Sequence, residues 1–401
     1  MRVLILTPWP FRIPRNGGQL RATAVVQAYR DAGHSVFSSG LYHRHDTPPT
    51  AVWPEDIPLT SGVIELMQKI SPEDAKSEMS YWTKVGVAAD SISAFANVVH
   101  NAKPDVLQFE EAALWPVVRR LRAEGHLDQI PVIHSSYNFE TVAWQHRSVA
   151  GAPVSSETLR DIAQFEQEIA AHCQLVVTVA ENDAKEFRRL GATRVCVAAN
   201  GVASAARGNT VIIRPYLPAE TPYALFVSSS HPPNAHGLVD LAAGVTGQPI
   251  QDGEILICGR VGPLVRGAGN FKMASRILGH ARFLGWVDDP LLGALYADAR
   301  TVILPKMYSG GSNLKTAEAL FSGRPVVATR RAFEGFESFI DLPGVFIEDD
   351  PNSFWTAVND RFNDRSPAPV RSSEVMSGLL WHECLKPMVR AAEELVGAGR
   401  E

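Results

Sequence analysis

The sequence has few cysteines, no long apolar run and no excess of positive charge. No stretch approaches the roughly 18 uninterrupted apolar residues that a membrane-spanning helix requires. The formal net charge of −5 provides no general attraction to nucleic acid. The cysteines form no C-x-x-C pair, which favours neither a zinc site nor a redox-active dithiol. We therefore predict no metal site and no nucleic-acid partner. Three of the four cysteines, which are Cys173, Cys196, Cys258 and Cys384, lie in or beside apolar runs and are predicted to be buried thiols.

Several catalytic motifs are missing as well. The chain contains no Asp-x-Asp, no H-E-x-x-H and no G-x-S-x-G, so metal-assisted transfer, zinc proteolysis and α/β-hydrolase chemistry lack their usual residues. It has neither a Walker A loop nor a complete G-x-G-x-x-G between a strand and a helix, which weakens the case for a nicotinamide dehydrogenase. The apolar run after Met1 is too short for a signal peptide. We expect a cytoplasmic protein, with any membrane contact peripheral and at the inner face.

Short apolar runs alternate with longer amphipathic segments along the 401 residues. This alternation is typical of parallel sheets covered by helices, and the length suits two such domains. The linker falls in a stretch rich in proline and glycine after Asn200-Gly201, so we predict domains at 1–207 and 208–374 and a C-terminal helix within 375–401, at Val375–Val396. The proline-rich segment His43–Gly62 is predicted to be a surface excursion. Strands are predicted at Val3–Leu6, Ser35–Tyr42, Val106–Phe109, Val132–Ser135, Leu175–Val179, Val195–Ala198, Ala224–Ser228, Ile255–Gly259, Ala281–Leu284, Thr301–Leu304, Val326–Thr329 and Val345–Ile347.

The loop after the first strand is the first candidate site, because open parallel sheets bind ligands beyond the carboxyl ends of their strands. Asn16-Gly17-Gly18 precedes a predicted helix there. Two glycines let backbone N–H groups approach an anion, and the helix N-terminus adds partial positive charge. A tight turn that needs positive φ would also use glycine, so both interpretations stay open.

A second loop follows Leu304 and contains Gly310-Gly311-Ser312-Asn313 directly before a predicted helix. Unpaired N–H groups at such a helix start suit a diphosphate. Lys306 and Lys315 can add positive charge, and Glu318 can accept hydrogen bonds from a vicinal diol such as a ribose. The alternative is an ordinary Ser/Asn helix cap followed by a solvated face.

Two further candidates lie at predicted strand ends. Arg260 follows the strand Ile255–Gly259 and could bind a phosphate through both arms of its guanidinium, or could be an ordinary surface arginine. His134 lies on the strand Val132–Ser135, where a histidine could transfer protons. A packed, hydrogen-bonded core histidine is the alternative.

Taken in order, these motifs resemble the GT-B glycosyltransferases, particularly the retaining enzymes of glycosyltransferase family 4. The similarity is carried by Asn200-Gly201-Val202, SSSHPPNAHG at Ser228–Gly237, Ile257–Arg260, Phe283–Val287, GGSNLKTAEALFSGRPVVAT at Gly310–Thr329 and Trp381–Leu385, and less specifically by Pro8–Gly18. The resemblance implies an α/β fold of GT-B architecture. In it, two Rossmann-like domains with doubly wound parallel sheets face a cleft, and the C-terminal helix crosses back to the first domain.

The resemblance also implies transfer of a sugar from a nucleoside diphosphate sugar, a UDP- or GDP-sugar, to a saccharide, lipid-linked or small-molecule acceptor. It implies retention of configuration without metal or other cofactor. Glu318 matches the second glutamate of the family's Glu-x7-Glu element, which binds ribose. Catalytic candidates are then Arg260, Lys315 and His134, and donor-binding candidates are Gly17, Gly18, Asn234, Gly310, Gly311, Ser312, Asn313, Leu314 and Glu318.

The chain departs from the family pattern at three of its motifs. Gly310 stands where the first glutamate is usual, Asn234 stands near a usual lysine, and Tyr137 replaces the histidine of a Ser-His-Asn-x-Glu stretch. Two other functions therefore stay open: a non-catalytic GT-B subunit that binds a nucleotide or a partner, and a sugar-nucleotide epimerase of the same fold. The sequence specifies neither the sugar, the base, the acceptor nor the oligomeric state.

Overall fold

The computed structural model describes residues 1–42, 44, 47–67, 85, 88–149, 154–203, 221–230, 232–247, 250, 253–308 and 314–398. The chain divides into two compact units. Unit 1 contains Met1–Gln145, Pro153–Ala199 and Leu385–Glu401, and unit 2 contains His146–Ala152 and Asn200–Cys384. The predicted boundary at residue 207 lies outside the described residues.

Unit 1 is built on a parallel sheet. In spatial order its strands are β3 (Ile57–Pro58), β2 (Ser35–Tyr42), β1 (Arg2–Thr7), β4 (Val106–Glu110), β5 (Val132–Ser135), β6 (Leu175–Thr178) and β7 (Val195–Val197). The strand order reverses between β1 and β4. The short strand β3 lies within His43–Gly62 and pairs with the end of β2, a contact too short for sequence periodicity to reveal.

Unit 2 contains a second parallel sheet with the same kind of reversal, here between β8 and β11. Its spatial order is β10 (Ala281–Gly285), β9 (Glu254–Cys258), β8 (Tyr223–Val227), β11 (Thr301–Leu304), β12 (Val326–Ala328) and β13 (Val345–Ile347). Alternate residues of each strand enter two separate apolar clusters: Leu225 and Val302 belong to one, Phe226 and Ile303 to the other. The sheet is therefore covered on both faces, which explains why its strands are continuous apolar runs.

Helices alternate with the strands in both units. They are α1 (Gly17–Asp31), α2 (Ser61–Met67), α3 (Ala89–Ala102), α4 (Trp115–Ala123), α5 (Glu140–Val149), α6 (Ser156–His172), α7 (Glu181–Arg189), α8 (Pro232–Ala243), α9 (Gly262–Gly267), α10 (Phe271–Leu278), α11 (Asp289–Asp298), α12 (Leu314–Phe321), α13 (Pro351–Asn363), α14 (Ser373–Gly378) and α15 (Trp381–Ala398). None of the described helices combines the length and apolar composition needed to span a bilayer. The predicted fold class, two Rossmann-like parallel-sheet domains, is confirmed.

The predicted final helix, Val375–Val396, is instead two helices, α14 and α15. Val202 forms two backbone hydrogen bonds with the residues between α14 and α15. Its N–H donates to the carbonyl of Leu379 (2.8 Å), and its carbonyl accepts from the N–H of Trp381 (3.2 Å). From Leu385 onward the chain belongs to unit 1, where Met388 is fully buried. The C-terminal segment thus returns to the first unit, as the fold class predicts.

Helix α8 lies directly against the segment that follows β11, and this contact allows a test. A Cβ added at Gly237 would lie 2.1 Å from the carbonyl oxygen of Pro305. Because that neighbour is backbone, Gly237→Ala should force the two segments apart and destabilise the protein by about 1–3 kcal/mol, measured by urea unfolding. The control is Gly267→Ala, another helical glycine, which has no neighbour within 4 Å of an added Cβ. Equal losses in both variants would contradict the close approach.

Candidate functional site

The reversal of strand order between β8 and β11 locates the candidate site of unit 2. Open α/β sheets bind ligands at such a reversal, beyond the carboxyl ends of the strands. Ser228 follows β8, Arg260 lies just after β9, and Pro305–Tyr308 follow β11. Helix α12 begins shortly afterwards at Leu314. The segments singled out in the second half of the sequence therefore meet at one edge of the sheet.

Lys315, in the first turn of α12, joins that helix to the end of β8. Its Nζ donates to the Oγ of Ser228 at 3.0 Å. The side chain is half-buried, and burial lowers the pKa of Lys315 to about 8, with Lys306 acting in the same direction and Glu318 opposing it. An ammonium has three donors. After the bond to Ser228, Lys315 retains donors for an anionic ligand.

Glu318 lies about one turn further along α12, on the same face as Lys315. Its Oε2 accepts from the Oη of Tyr296, on α11, at 3.1 Å. Burial raises the pKa of Glu318, and Tyr296 and Lys315 offset part of that rise. The tyrosine fixes the carboxyl group, which keeps acceptor capacity for hydroxyl groups.

Two of the residues that follow β11, Lys306 and Tyr308, have side-chain partners on other elements. Tyr308 donates through Oη to Asp240 at 2.9 Å, and Asp240 also accepts from Asn270 at 2.6 Å. Lys306 forms an ion pair with Glu334 at 3.1 Å. The structure thus pairs Lys306 with a carboxylate, whereas the sequence suggested that it adds charge for a ligand.

Asn234 and Arg260, two further predicted residues of unit 2, lie at the same edge. Asn234 is half-buried in the first turn of α8, one turn before Gly237. Arg260 is exposed beside Gly259, where φ is +92° and an added Cβ would lie 2.1 Å from the carbonyl oxygen of Ser228. Glycine is therefore required at 259. Gly310, Gly311, Ser312 and Asn313 lie outside the described residues, so the loop prediction stays a prediction.

In unit 1, Gly17 and Gly18 are the first residues of α1. Asn16 caps this helix, accepting from the N–H of Gln19 at 2.9 Å. Neither glycine has positive φ, so the turn alternative does not explain them. A Cβ at Gly18 would lie 2.8 Å from the ring of Trp9 and 3.0 Å from that of Tyr137. Close packing of these rings therefore requires glycine at 18.

A buried polar cluster at the carboxyl end of β4 was not predicted. Glu110 is fully buried and accepts from Gln108 at 2.6 Å, which in turn accepts from Tyr29 at 2.6 Å. Burial raises the pKa of Glu110, and the charge of Arg21 opposes this. Because Arg21 and Tyr29 belong to α1, the cluster fixes the helix that begins at Gly17. The sequence did contain one signal for this cluster, because Glu110 lies at the end of a strand beside the reversal in strand order.

His134 lies in the core of unit 1. It has no exposed surface, and its ring lies 4.7 Å from that of Phe109 and 5.8 Å from that of Phe187, between centroids. Burial lowers the pKa of His134 to about 3, so the ring is neutral at pH 7. The ring is packed in the core, as the alternative interpretation expects, and a role of His134 in proton transfer stays a prediction.

Ser228 and Tyr296 are the residues of the unit 2 site that sequence reasoning did not single out. Ser228 could have been found, since it is the last residue of the predicted strand Ala224–Ser228. Tyr296 could not, because nothing in the sequence links it to Glu318 on another helix. No group of three or more His, Cys, Asp or Glu side chains within the described ranges could hold a metal ion.

Comparisons with known proteins bear on the family and on the fold. Residues 221–364 match the family described as Glycosyl transferases group 1. No curated protein sequence matches the chain.

Solved structures match over nearly the whole chain. Sucrose-phosphate synthase from Thermosynechococcus elongatus has a TM-score of 0.73 at 17% identity, covering 99% of this chain and 100% of that one. HepE from Anabaena in complex with UDP has a TM-score of 0.62 at 13% identity, covering 100% and 98%. The catalytic domain of starch synthase IV from Arabidopsis thaliana, bound to ADP and acarbose, has a TM-score of 0.61 at 12% identity, covering 100% and 99%. At these identities the likeness establishes the fold, which is GT-B.

The low pKa of His134 predicts acid sensitivity. Its pKa is about 3 in the folded protein and about 6.5 in the unfolded chain. Between these values the unfolded state binds more protons, so stability falls by up to about 1.4 kcal/mol per pH unit as the pH drops below 6.5. Urea unfolding at pH 7.5 and 5.5 should show a smaller acid loss for His134→Leu than for the native protein. His126→Leu, at an exposed histidine, is the control, and an unchanged acid loss in His134→Leu would contradict a neutral buried ring.

Proposed function

We propose that the protein transfers a sugar from a nucleoside diphosphate sugar to an acceptor hydroxyl. The premise is that residues 221–364 match the group 1 glycosyl transferases in a chain with the GT-B fold. One observation carries the proposal. The ammonium of Lys315, anchored to Ser228 at 3.0 Å, and the carboxyl of Glu318, anchored to Tyr296 at 3.1 Å, lie on one face of α12 at the strand reversal. These groups complement the diphosphate and the ribose diol of a nucleotide.

In this proposal unit 2 holds the donor. Glu318 accepts hydrogen bonds from the ribose hydroxyls, and Tyr296 keeps its carboxyl in place. Lys315 binds the diphosphate, and the exposed Arg260 can swing onto the same group. Gly310, Gly311, Ser312 and Asn313 would add backbone N–H donors ahead of α12, with Asn234 on the neighbouring helix start and Leu314 against the nucleoside.

The chemistry we propose is electrostatic. When the bond from the sugar C1 to the diphosphate oxygen breaks, negative charge grows on the leaving phosphate, where preorganised cations stabilise the transition state most. Lys315 and Arg260 are those cations, so the scheme includes no metal. The acceptor oxygen attacks from the face that the diphosphate leaves, its proton passes to the leaving phosphate, and the configuration at C1 is retained.

We propose that the acceptor binds to unit 1, at the carboxyl ends of β1, β4 and β5. Gly17 and Gly18 lie there at the start of α1, and Tyr137 follows β5. The acceptor is a saccharide, a lipid-linked saccharide or a small molecule. A lipid-linked acceptor would bring a cytoplasmic protein into peripheral contact with the membrane. Because solved relatives bind UDP and ADP, the donor is tested with UDP, GDP and ADP and their sugars.

The first test is thermal unfolding with these nucleotides. A ligand at 100 times its Kd stabilises the protein by about 2.7 kcal/mol, enough for a shift of a few degrees. Glu318→Ala should weaken binding of the preferred nucleotide by about 10–100-fold, because it removes hydrogen bonds to a charged acceptor. Tyr296→Phe, which only frees the carboxyl, should have a smaller effect. The matched control is Glu374→Ala, at an exposed glutamate of unit 2.

The outcomes separate the proposals. Unchanged nucleotide affinity in Glu318→Ala would remove that residue from the site. Tight nucleotide binding without transfer from any donor, to any acceptor or to water, would favour a non-catalytic GT-B subunit. No response of the folded protein to any nucleotide would overturn the proposed function.

The pKa of Lys315 predicts how nucleotide binding depends on pH. Since this pKa is about 8, the ammonium is charged at pH 7 and loses its proton as the pH rises through 8. Affinity for a nucleoside diphosphate should therefore fall between pH 7 and 9.5, measured by isothermal titration calorimetry. Lys315→Met should bind about tenfold more weakly at pH 7, as expected for one charge-assisted hydrogen bond, and its affinity should not vary over this range. Lys272→Met, at an exposed lysine, should keep the native profile, and a Lys315→Met profile parallel to it would contradict the assignment.

A further inference from the structure

Unit 2 contains a cavity of about 160 Å³ that the proposed transfer does not use. Its walls carry the arginines Arg300, Arg324 and Arg361, with Asp364 and Phe346 beside them. Typical pockets for drug-sized ligands measure roughly 300–1,000 Å³. The cavity therefore suits a small ligand, and the arginines indicate an anion.

The cavity lies at the opposite edge of the sheet from the candidate donor site. Arg300 directly precedes β11, Arg324 shortly precedes β12, and Gly344 directly precedes β13. In a parallel sheet these amino ends share one edge, and the carboxyl ends share the other. A strand of four residues such as β11 separates the edges by roughly 13 Å, so a small ligand cannot occupy both sites at once.

The charges in the cavity do not balance. Arg361 pairs with Asp364 at 3.3 Å and stacks on the ring of Phe346 at 4.3 Å. Hydrogen bonds from Ser366 lower the pKa of Asp364 most, and the charges of Arg361 and Arg300 add to this effect. Asp364 is the one acidic residue in the lining, against three arginines. The half-buried Arg300 and Arg324 form no ion pair with any residue that the structure describes, which leaves an excess of positive charge in a concave site.

The wall contributed by the chain after α13 is fixed in place. Arg371 donates to the carbonyl oxygens of Leu320 and, at 2.9 Å, of Arg324. Pro369 packs so closely on Gly344 that an added Cβ there would lie 2.4 Å from its ring. The cavity is thus formed before a ligand arrives, and preorganisation of this kind favours binding.

We propose that this cavity binds a small phosphate monoester or inorganic phosphate, with Arg300 and Arg324 as the principal donors and Arg361 in support. A guanidinium presents paired N–H groups that match phosphate oxygens. A dianion is preferred over a monocarboxylate because two unpaired cations face it. The apolar rim of Phe346 and Pro369 leaves room for a small organic group on the phosphate. This proposal does not depend on the proposed glycosyl transfer.

The test is isothermal titration calorimetry of the full chain with inorganic phosphate and with glucose 6-phosphate, at constant ionic strength. Arg300→Gln and Arg324→Gln should each weaken binding several-fold, and the double variant at least tenfold. The matched control is Arg365→Gln, at an exposed arginine outside the cavity lining, which should bind as the native protein does. Circular dichroism confirms that each variant is folded, and the single variants keep the test valid if the double variant is not.

Further arms identify the ligand source and the site. Tighter binding of glucose 6-phosphate than of phosphate, with none of glucose, would assign the cavity to a phosphorylated metabolite; equal binding of the two would assign it to free phosphate. Loss of binding in Lys315→Met, or displacement by saturating UDP, would place the anion in the donor site and overturn the proposal.

No saturable binding of either probe, or equal losses in the cavity variants and Arg365→Gln, would also overturn it. Nucleotide binding by the cavity variants is measured in parallel, so failure here is distinguishable from failure of the proposed function.

Discussion

The hydrogen bond between Lys315 and Ser228 is the contact on which the candidate site depends. It joins the start of α12 to the end of β8, across the place where the order of the parallel strands reverses. The connections that follow the two neighbouring strands run in opposite directions, which leaves a crevice between them. Side chains such as Lys315 and Ser228 line this crevice. Gly237 and Gly259 also lie at this reversal. Each lets another backbone segment, at Pro305 and at Ser228 respectively, approach more closely than a Cβ would allow.

Both units bury a carboxyl group whose pKa burial raises, Glu110 in unit 1 and Glu318 in unit 2. In unit 1 Glu110 accepts from Gln108 at 2.6 Å, and the charge of Arg21, on α1, opposes the rise in its pKa. In unit 2 burial moves the pKa values of Lys315 and Glu318 in the directions that disfavour their charged forms. A bound diphosphate would restore a counter-charge to the lysine. Shifted pKa values of this kind are common among the residues of functional sites.

Periodicity and strand-end reasoning predicted most of the fold, because buried parallel strands are short apolar runs that few other structures produce. They missed β3 and the break before Trp381, since both depend on contacts with distant residues that leave no local pattern. The site was predictable to the extent that its residues follow strands, as Lys315, Glu318 and Arg260 do. Tyr296 could not be found, because only tertiary packing brings it to Glu318, whereas Glu110 could have been found from its place at the end of a strand. His134 lies near the end of a strand, as the prediction required. Its ring packs between aromatic rings, and the sequence does not reveal that packing.

The departure at Gly310 has a physical consequence for the proposed donor. The resemblance implies a carboxylate at that position, which glycine does not supply, while Lys315 is a candidate for binding the diphosphate. A carboxylate accepts hydrogen bonds from sugar hydroxyls, whereas an ammonium donates to phosphate oxygens. More of the binding energy would then come from contacts with the diphosphate, which all nucleotide sugars have in common. Less would come from contacts with the sugar, which differs from one donor to another. Since each sugar contact contributes only about 1–3 kcal/mol to discrimination, this arrangement favours selection among nucleotides over selection among sugars, with sugar choice left to residues that contact the hydroxyls from elsewhere in the chain.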